Sequence, residues 1–193
     1  MTLERRSAQL DGLDGTRLRG HAVIFDTRSH DLGGFYEVVR PSAVARALSG
    51  DVVGLFNHNA DLVLGRTPKT LQLRQDARGL AFVLDPAPTR TGREVLELVR
   101  RGDLTGVSFG FHAIADAWHQ DGPDTVRELL DIEVVEISLT VFPAYAQTNV
   151  EVAHRSLQAW QAAAGGATAR GSRLDILRRR HRLAGLRYDR GER

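Results

Sequence analysis

Apolar and small positions alternate most strictly at Leu104–Phe111, L-T-G-V-S-F-G-F. Val107, Phe109 and Phe111 fall on one side of an extended segment, and Gly106, Ser108 and Gly110 on the other. The first face is bulky enough to belong to a core. The second is one hydroxyl between two residues without side chains, a surface that a packed helix or an extended peptide can approach closely. A second long run, Val126–Val141, places Val135, Ile137, Leu139 and Val141 on one side and Val134, Glu136, Ser138 and Thr140 on the other. Shorter runs predict strands at Arg17–Asp26, Phe35–Val39, Val52–Phe56, Leu62–Leu64, Leu71–Gln75 and Leu80–Leu84. The last four lie so close together that antiparallel pairing is expected, since parallel neighbours need long crossovers.

Helical patterning is sparser. Ser42–Leu48 carries Val44, Ala47 and Leu48 on one face, with Ser42 as the expected N-cap and Gly50 as the stop. Thr91-Gly92-Arg93-Glu94 fits a capping box ahead of Val95, Leu98 and Val99, and Gly102 ends that helix just before the Ser108 strand. His119–Asp124 reads as a polar loop, and Pro143-Ala144-Tyr145 ends the last long strand. Val152–Ala164 is expected to be helical, Gly165–Ser172 a linker and Arg173–Leu186 a short basic amphipathic segment. The mixture predicts an α+β, mostly β chain.

Length and charge refine this picture. The 193 residues suit one domain with a substantial core and a tail. Without cysteine there is no disulfide framework, no thiolate metal ligand and no cysteine nucleophile. The start, M-T-L-E-R-R-S, lacks the apolar core of a secretory signal, and no apolar run has bilayer length, so an intracellular, soluble protein is expected. Lys69 is the only lysine, and the formal net charge of +2 is unevenly placed. After Gly165 come Arg170, Arg173, Arg178, Arg179, Arg180, Arg182, Arg187, Arg190 and Arg193, against Asp175, Asp189 and Glu192. The expected layout is a near-neutral domain over 1–164 and a basic tail over 165–193. A solvated end is the simpler reading of that tail; docking on acidic scaffold or nucleic acid is the alternative.

An ordered set of motifs carries a resemblance: G-H-A-V-I-F at Gly20–Phe25, E-x-x-x-P-S-A from Glu37 to Ala43, L-F-N-H-N at Leu55–Asn59, V-L-G-R at Val63–Arg66, G-D-L-T-G-V-S-F-G-F at Gly102–Phe111 and E-I-S-L-T-V-F-P-A-Y at Glu136–Tyr145. Over roughly residues 17–150 the chain resembles the prohead (procapsid maturation) proteases of tailed bacteriophages, serine endopeptidases similar in fold to herpesvirus assemblins. The resemblance implies a small antiparallel β-barrel flanked by a few helices. It also implies cleavage of scaffold and of the N-terminal extension of the major capsid protein, and often self-cleavage, inside the assembling procapsid in the host cytoplasm. A homo-oligomer is compatible with this; no membrane partner, no cofactor and no metal are expected, and nucleic acid only through the tail. The alternative is a catalytically degenerate member acting as a scaffold-binding assembly factor.

Ser108 matches the family's nucleophile and His58 its base. A serine hydroxyl needs such a base within hydrogen-bond reach, and imidazole can take and return a proton near neutrality. His112 shares the face of Ser108, but four positions at roughly 3.3 Å each separate them by about 13 Å. Assemblins orient the base with a second histidine on the strand after the nucleophile. The corresponding strand here offers Glu136, with Asp131 and Ser138 as alternatives. By the same analogy Ala144 and Tyr145 are candidate oxyanion donors, and Gly106 and Gly110 would border the substrate groove; Pro143, lacking an N–H, is excluded.

Overall fold

The first strand of the protein is one that hydrophobic patterning does not predict. β1 (Glu4–Asp14) reads E-R-R-S-A-Q-L-D-G-L-D, and two of its inward positions are charged. Glu4 is fully buried and Arg6 nearly so. They are stable there because they are paired. Arg6 Nε and Nη2 donate to Glu37 at 2.8 and 2.9 Å, and Nη2 also reaches Glu4 at 2.8 Å. Arg127, also buried, donates to Glu4 at 2.9 Å, to Glu37 at 3.0 Å and to Asp116 at 2.7 Å. Burial works against both guanidinium charges, but the attraction of Glu37 and the bonds to Glu4 outweigh it and hold both arginines above their usual range. Each cation also lies over an aromatic ring, Arg6 over Phe111 and Arg127 over Trp118.

The computed structural model describes residues 2–141 and 153–163. They fall in two compact units, Met1–Val152 and Ala153–Arg193, and the second contributes a helix over 153–163. The expected linker and basic tail, 165–193, lie outside the described residues, as do Ala144 and Tyr145. In the first unit β1 is followed by β2 (Arg17–Ile24), β3 (Tyr36–Val39), a 3-10 helix (Pro41–Leu48), β4 (Val53–Phe56), β5 (Asn59–Arg66), β6 (Leu71–Gln75) and β7 (Gly79–Leu84). Then come α1 (Arg90–Arg101), β8 (Gly106–Asp121) and β9 (Asp124–Thr140). All nine strands share one sheet, in the order β5-β4-β9-β8-β1-β2-β7-β6, with β3 beside β9.

The mostly β, α+β class holds, and the expected antiparallel pairing is interrupted at two places. β3 and β4 both pair with β9 in parallel, along its first and second halves. The chain returns to β9 after α1 and β8, a crossover long enough for parallel neighbours. β4 and β5 come close to β7 although they are far apart in the pairing order: a side chain on Gly54 or Gly65 would meet Leu84. Among the described residues no strand pair joins β5 to β6, the two ends of the order.

Local signals also resolve. The cap of α1 is Thr89 rather than Thr91, its side chain accepting from Gly92 N at 3.2 Å. Gly102 does end the helix, at φ 79°, with Asp103 N reaching back to Leu98 O. The 3-10 helix begins with Pro41 after Arg40 and has no side-chain cap, so Ser42 does not play the expected role. His119–Asp124 is not a loop. β8 runs to Asp121, which pairs with Asp124 across a Gly122-Pro123 turn, with Gly122 supplying the positive φ. The core gathers Leu18, Leu80, Phe82 and Leu84 with Val107, Phe109, Phe111, Ile137 and Leu139.

Candidate functional site

Pairing on both sides of β8 sets Ser108 in a cross-strand row. It stands opposite Ser7 of β1 and Ser138 of β9, and Ser138 stands opposite Leu55 of β4. The next row is Arg5, Gly110, Glu136 and Val53. Cross-strand partners share a face, so Ser108, Ser138, Gly110 and Glu136 lie together on the side opposite Phe109 and Phe111. Val134, grouped with Glu136 by simple alternation, leaves that face. The register steps from Gly110–Glu136 to Phe111–Val134, and Val134 joins the core.

The glycine face is less bare than its sequence predicts. A Cβ on Gly110 would stand 2.7 Å from Glu136 Cγ and 2.8 Å from its Oε1, so the glutamate occupies the space the glycine leaves. Ser108 is fully buried, and its Oγ donates to the carbonyl oxygen of Arg6 at 2.9 Å.

His58 arrives from a two-residue turn between β4 and β5. Phe56 pairs with Asn59, and both central residues have positive φ, 52° at Asn57 and 58° at His58. That geometry matches the twist of a hairpin, and Asn tolerates it better than most residues. The turn is pinned to β9: Asn57 N donates to Leu139 O at 2.8 Å, and Asn57 Oδ1 accepts from Val141 N at 3.3 Å. From there His58 Nδ1 meets Glu136 Oε1 at 2.7 Å. Ser138 Oγ donates to Glu136 Oε2 at 2.6 Å, and Arg5 Nε to Oε1 at 3.0 Å. Burial pushes the Glu136 carboxyl up, but the bonds from His58, Ser138 and Arg5 outweigh it and hold it below its ordinary range. An ionised carboxylate only accepts, so Nδ1 carries a proton, and in the neutral form of the ring Nε2 would hold the lone pair. That Nε2 is buried and, among the described residues, has no hydrogen-bond partner.

The sequence candidates therefore separate. His58 meets Glu136, which stands diagonal to Ser108 across β8 and β9, and Ser138 is a contact of Glu136. Asp131 instead pairs with Arg46 at 2.9 Å on the exterior. Gly106 and Gly110 are each paired on both sides, to Gln9 and Thr140 and to Arg5 and Glu136. Arg5 is the residue that sequence reasoning missed, because it belongs to the strand without an apolar pattern. Among the described residues no group of three or more His, Cys, Asp or Glu side chains is arranged to hold a metal ion. None of their helices is long and apolar enough to cross a membrane.

Comparison with curated proteins and with solved structures yields no match. The family model for the caudovirus prohead serine protease matches residues 1–163, taking in β1 as well as every motif quoted above. With most of its length so matched, the chain belongs to the caudovirus prohead serine proteases, the family that acts within the prohead during capsid maturation.

Proposed function

We propose that the chain is an endopeptidase that cuts scaffold and the N-terminal extension of the major capsid protein, and also itself, with Ser108 as nucleophile, His58 as base and Glu136 as the group that orients the base. The observation that carries this reading is the 2.7 Å His58–Glu136 contact, with His58 Nε2 buried and, among the described residues, without a hydrogen-bond partner. Ser108 and Glu136 are diagonal neighbours across β8 and β9, about 7 Å apart, a gap that a ring bonded at one end can bridge.

In this chemistry the Ser108 hydroxyl turns from the Arg6 carbonyl to His58 Nε2. As Oγ bonds to the scissile carbonyl carbon, His58 takes the proton, and Glu136 stabilises the imidazolium. The proton passes to the departing amine, and water then hydrolyses the acyl-enzyme. Oxyanion donors are assigned to Ala144 and Tyr145. Gly106 and Gly110, each paired on both sides in the ladder, border the proposed substrate groove.

The test is processing of a co-expressed capsid precursor. Ser108→Ala and His58→Ala are expected to abolish cleavage, by a factor of about 10⁴ or more, while leaving the fold intact. Wild-type processing by Ser108→Ala would reject the assignment. A degenerate, scaffold-binding member is the second reading, favoured by the complete burial of Ser108 and its bond to Arg6. It predicts that neither wild type nor variant cuts the precursor.

A further inference from the structure

Gly110 separates Arg5 from Glu136 in the register, and its missing side chain is what lets them meet. β1 and β9 are not adjacent; β8 runs between them. Side chains two strands apart normally have a third side chain between them. Here the intervening residue is glycine, and the Arg5 Nε–Glu136 Oε1 bond of 3.0 Å passes over it. Arg5 reaches the same oxygen that receives His58 Nδ1, whereas Ser138 takes the other. Arg5, His58 and Ser138 all bond Glu136, and of these Arg5 and His58 carry or can carry charge.

We infer that Arg5 is a positioning residue of the protease, acting through Glu136: it fixes the carboxylate against His58 and opposes accumulation of positive charge on the imidazole. This rests on the Ser108–His58–Glu136 reading and deepens it. The physical consequence is specific. With Arg5 present, a protonated His58 shares one carboxylate oxygen with a second cation, which disfavours the protonated ring relative to a site without Arg5. Without Arg5, Glu136 serves His58 alone, and the ring is protonated more readily. A side chain that merely fastened β1 to β9 would leave the titration of His58 unmoved.

The test is NMR of the full chain, following the ¹⁵N resonances of the His58 imidazole against pH. Arg5→Gln is expected to move the midpoint up by about one unit. Arg5→Met, which keeps the aliphatic stem, should do the same, and Arg5→Lys should stay nearer wild type. Capsid-precursor processing by Arg5→Gln should then fall about tenfold at pH values below the midpoint, as the neutral fraction falls. An unchanged midpoint in folded Arg5→Gln and Arg5→Met overturns the inference. Loss of fold in both also overturns it, since a side chain one-third exposed would then be serving the sheet. Failure of the underlying reading looks different: there Ser108→Ala processes the precursor normally, whatever the midpoint does.

Discussion

Glu136 illustrates how much one carboxylate depends on its neighbours. It is almost wholly buried, which alone would favour its neutral form, yet three donors keep it ionised. Its folded pKa therefore lies below the ordinary glutamate value of 4.5. The sign follows from linkage: a depressed carboxyl contributes stability that is fully present above the unfolded value and is lost as pH falls through the folded one. Unfolding free energies of wild type and Glu136→Gln, measured by urea titration between pH 3 and 7, should differ by a constant amount above about pH 5 and converge below it. At this scale the sequence was informative where chemistry is local. Ser108 and His58 are candidates because the motifs that hold them resemble those of the prohead proteases, and Glu136 because the following strand offers a carboxylate where assemblins place the orienting group. Arg5 is not among them, since nothing in E-R-R-S tells which arginine faces a carboxylate two strands away. The distinction between Arg5 and Arg6 is made by strand parity, and strand parity by pairing with β8.

Among the elements, the β8–β9 pair and the β4–β5 turn carry the candidate residues, and α1 sets where β8 begins. Alternation gave the faces of β8 correctly, because Val107, Phe109 and Phe111 form an unbroken bulky series. It misplaced Val134 because a register step is invisible in a hydrophobic pattern. It also missed the extension of β8 through H-A-I-A-D-A-W-H-Q-D, whose polar residues pair in an antiparallel ribbon rather than a core. The glycines tell more. Gly110 is legible as a position where something approaches closely, and Glu136 occupies the space a side chain would take there. Gly110→Ala should therefore destabilise the fold by about 1–3 kcal/mol through overpacking. It should also reduce capsid-precursor processing by displacing Glu136 from His58. Thermal unfolding and a processing time course measure the two effects; full activity in Gly110→Ala would mean the carboxylate has room to spare.

Across the whole molecule, the buried group of Glu4, Arg6, Glu37 and Arg127 joins β1, β3 and β9, elements with no sequential proximity. Glu37 belongs to the E-x-x-x-P-S-A motif, so that motif's first residue has a structural partner set rather than a place beside Ser108. Charges in a core are unreadable in advance: hydrophobic patterning assigns E-R-R to solvent, and only the fold reveals the counter-charges that make burial tolerable. Glu37→Gln would leave Arg6 and Arg127 short of one carboxylate and should cost about 3–5 kcal/mol, read as a lower urea midpoint at unchanged slope.

Three consecutive residues of β1 serve two sides of the sheet at once. Glu4 and the Arg6 side chain turn inward to the ionic group, whereas the Arg5 side chain and the Arg6 carbonyl turn to Glu136 and Ser108. Under the proposed chemistry, unzipping that strand strips the centre of its alignment at the moment it breaches the interior. An incompletely folded copy is then a disarmed one, and cutting power arrives together with the finished architecture.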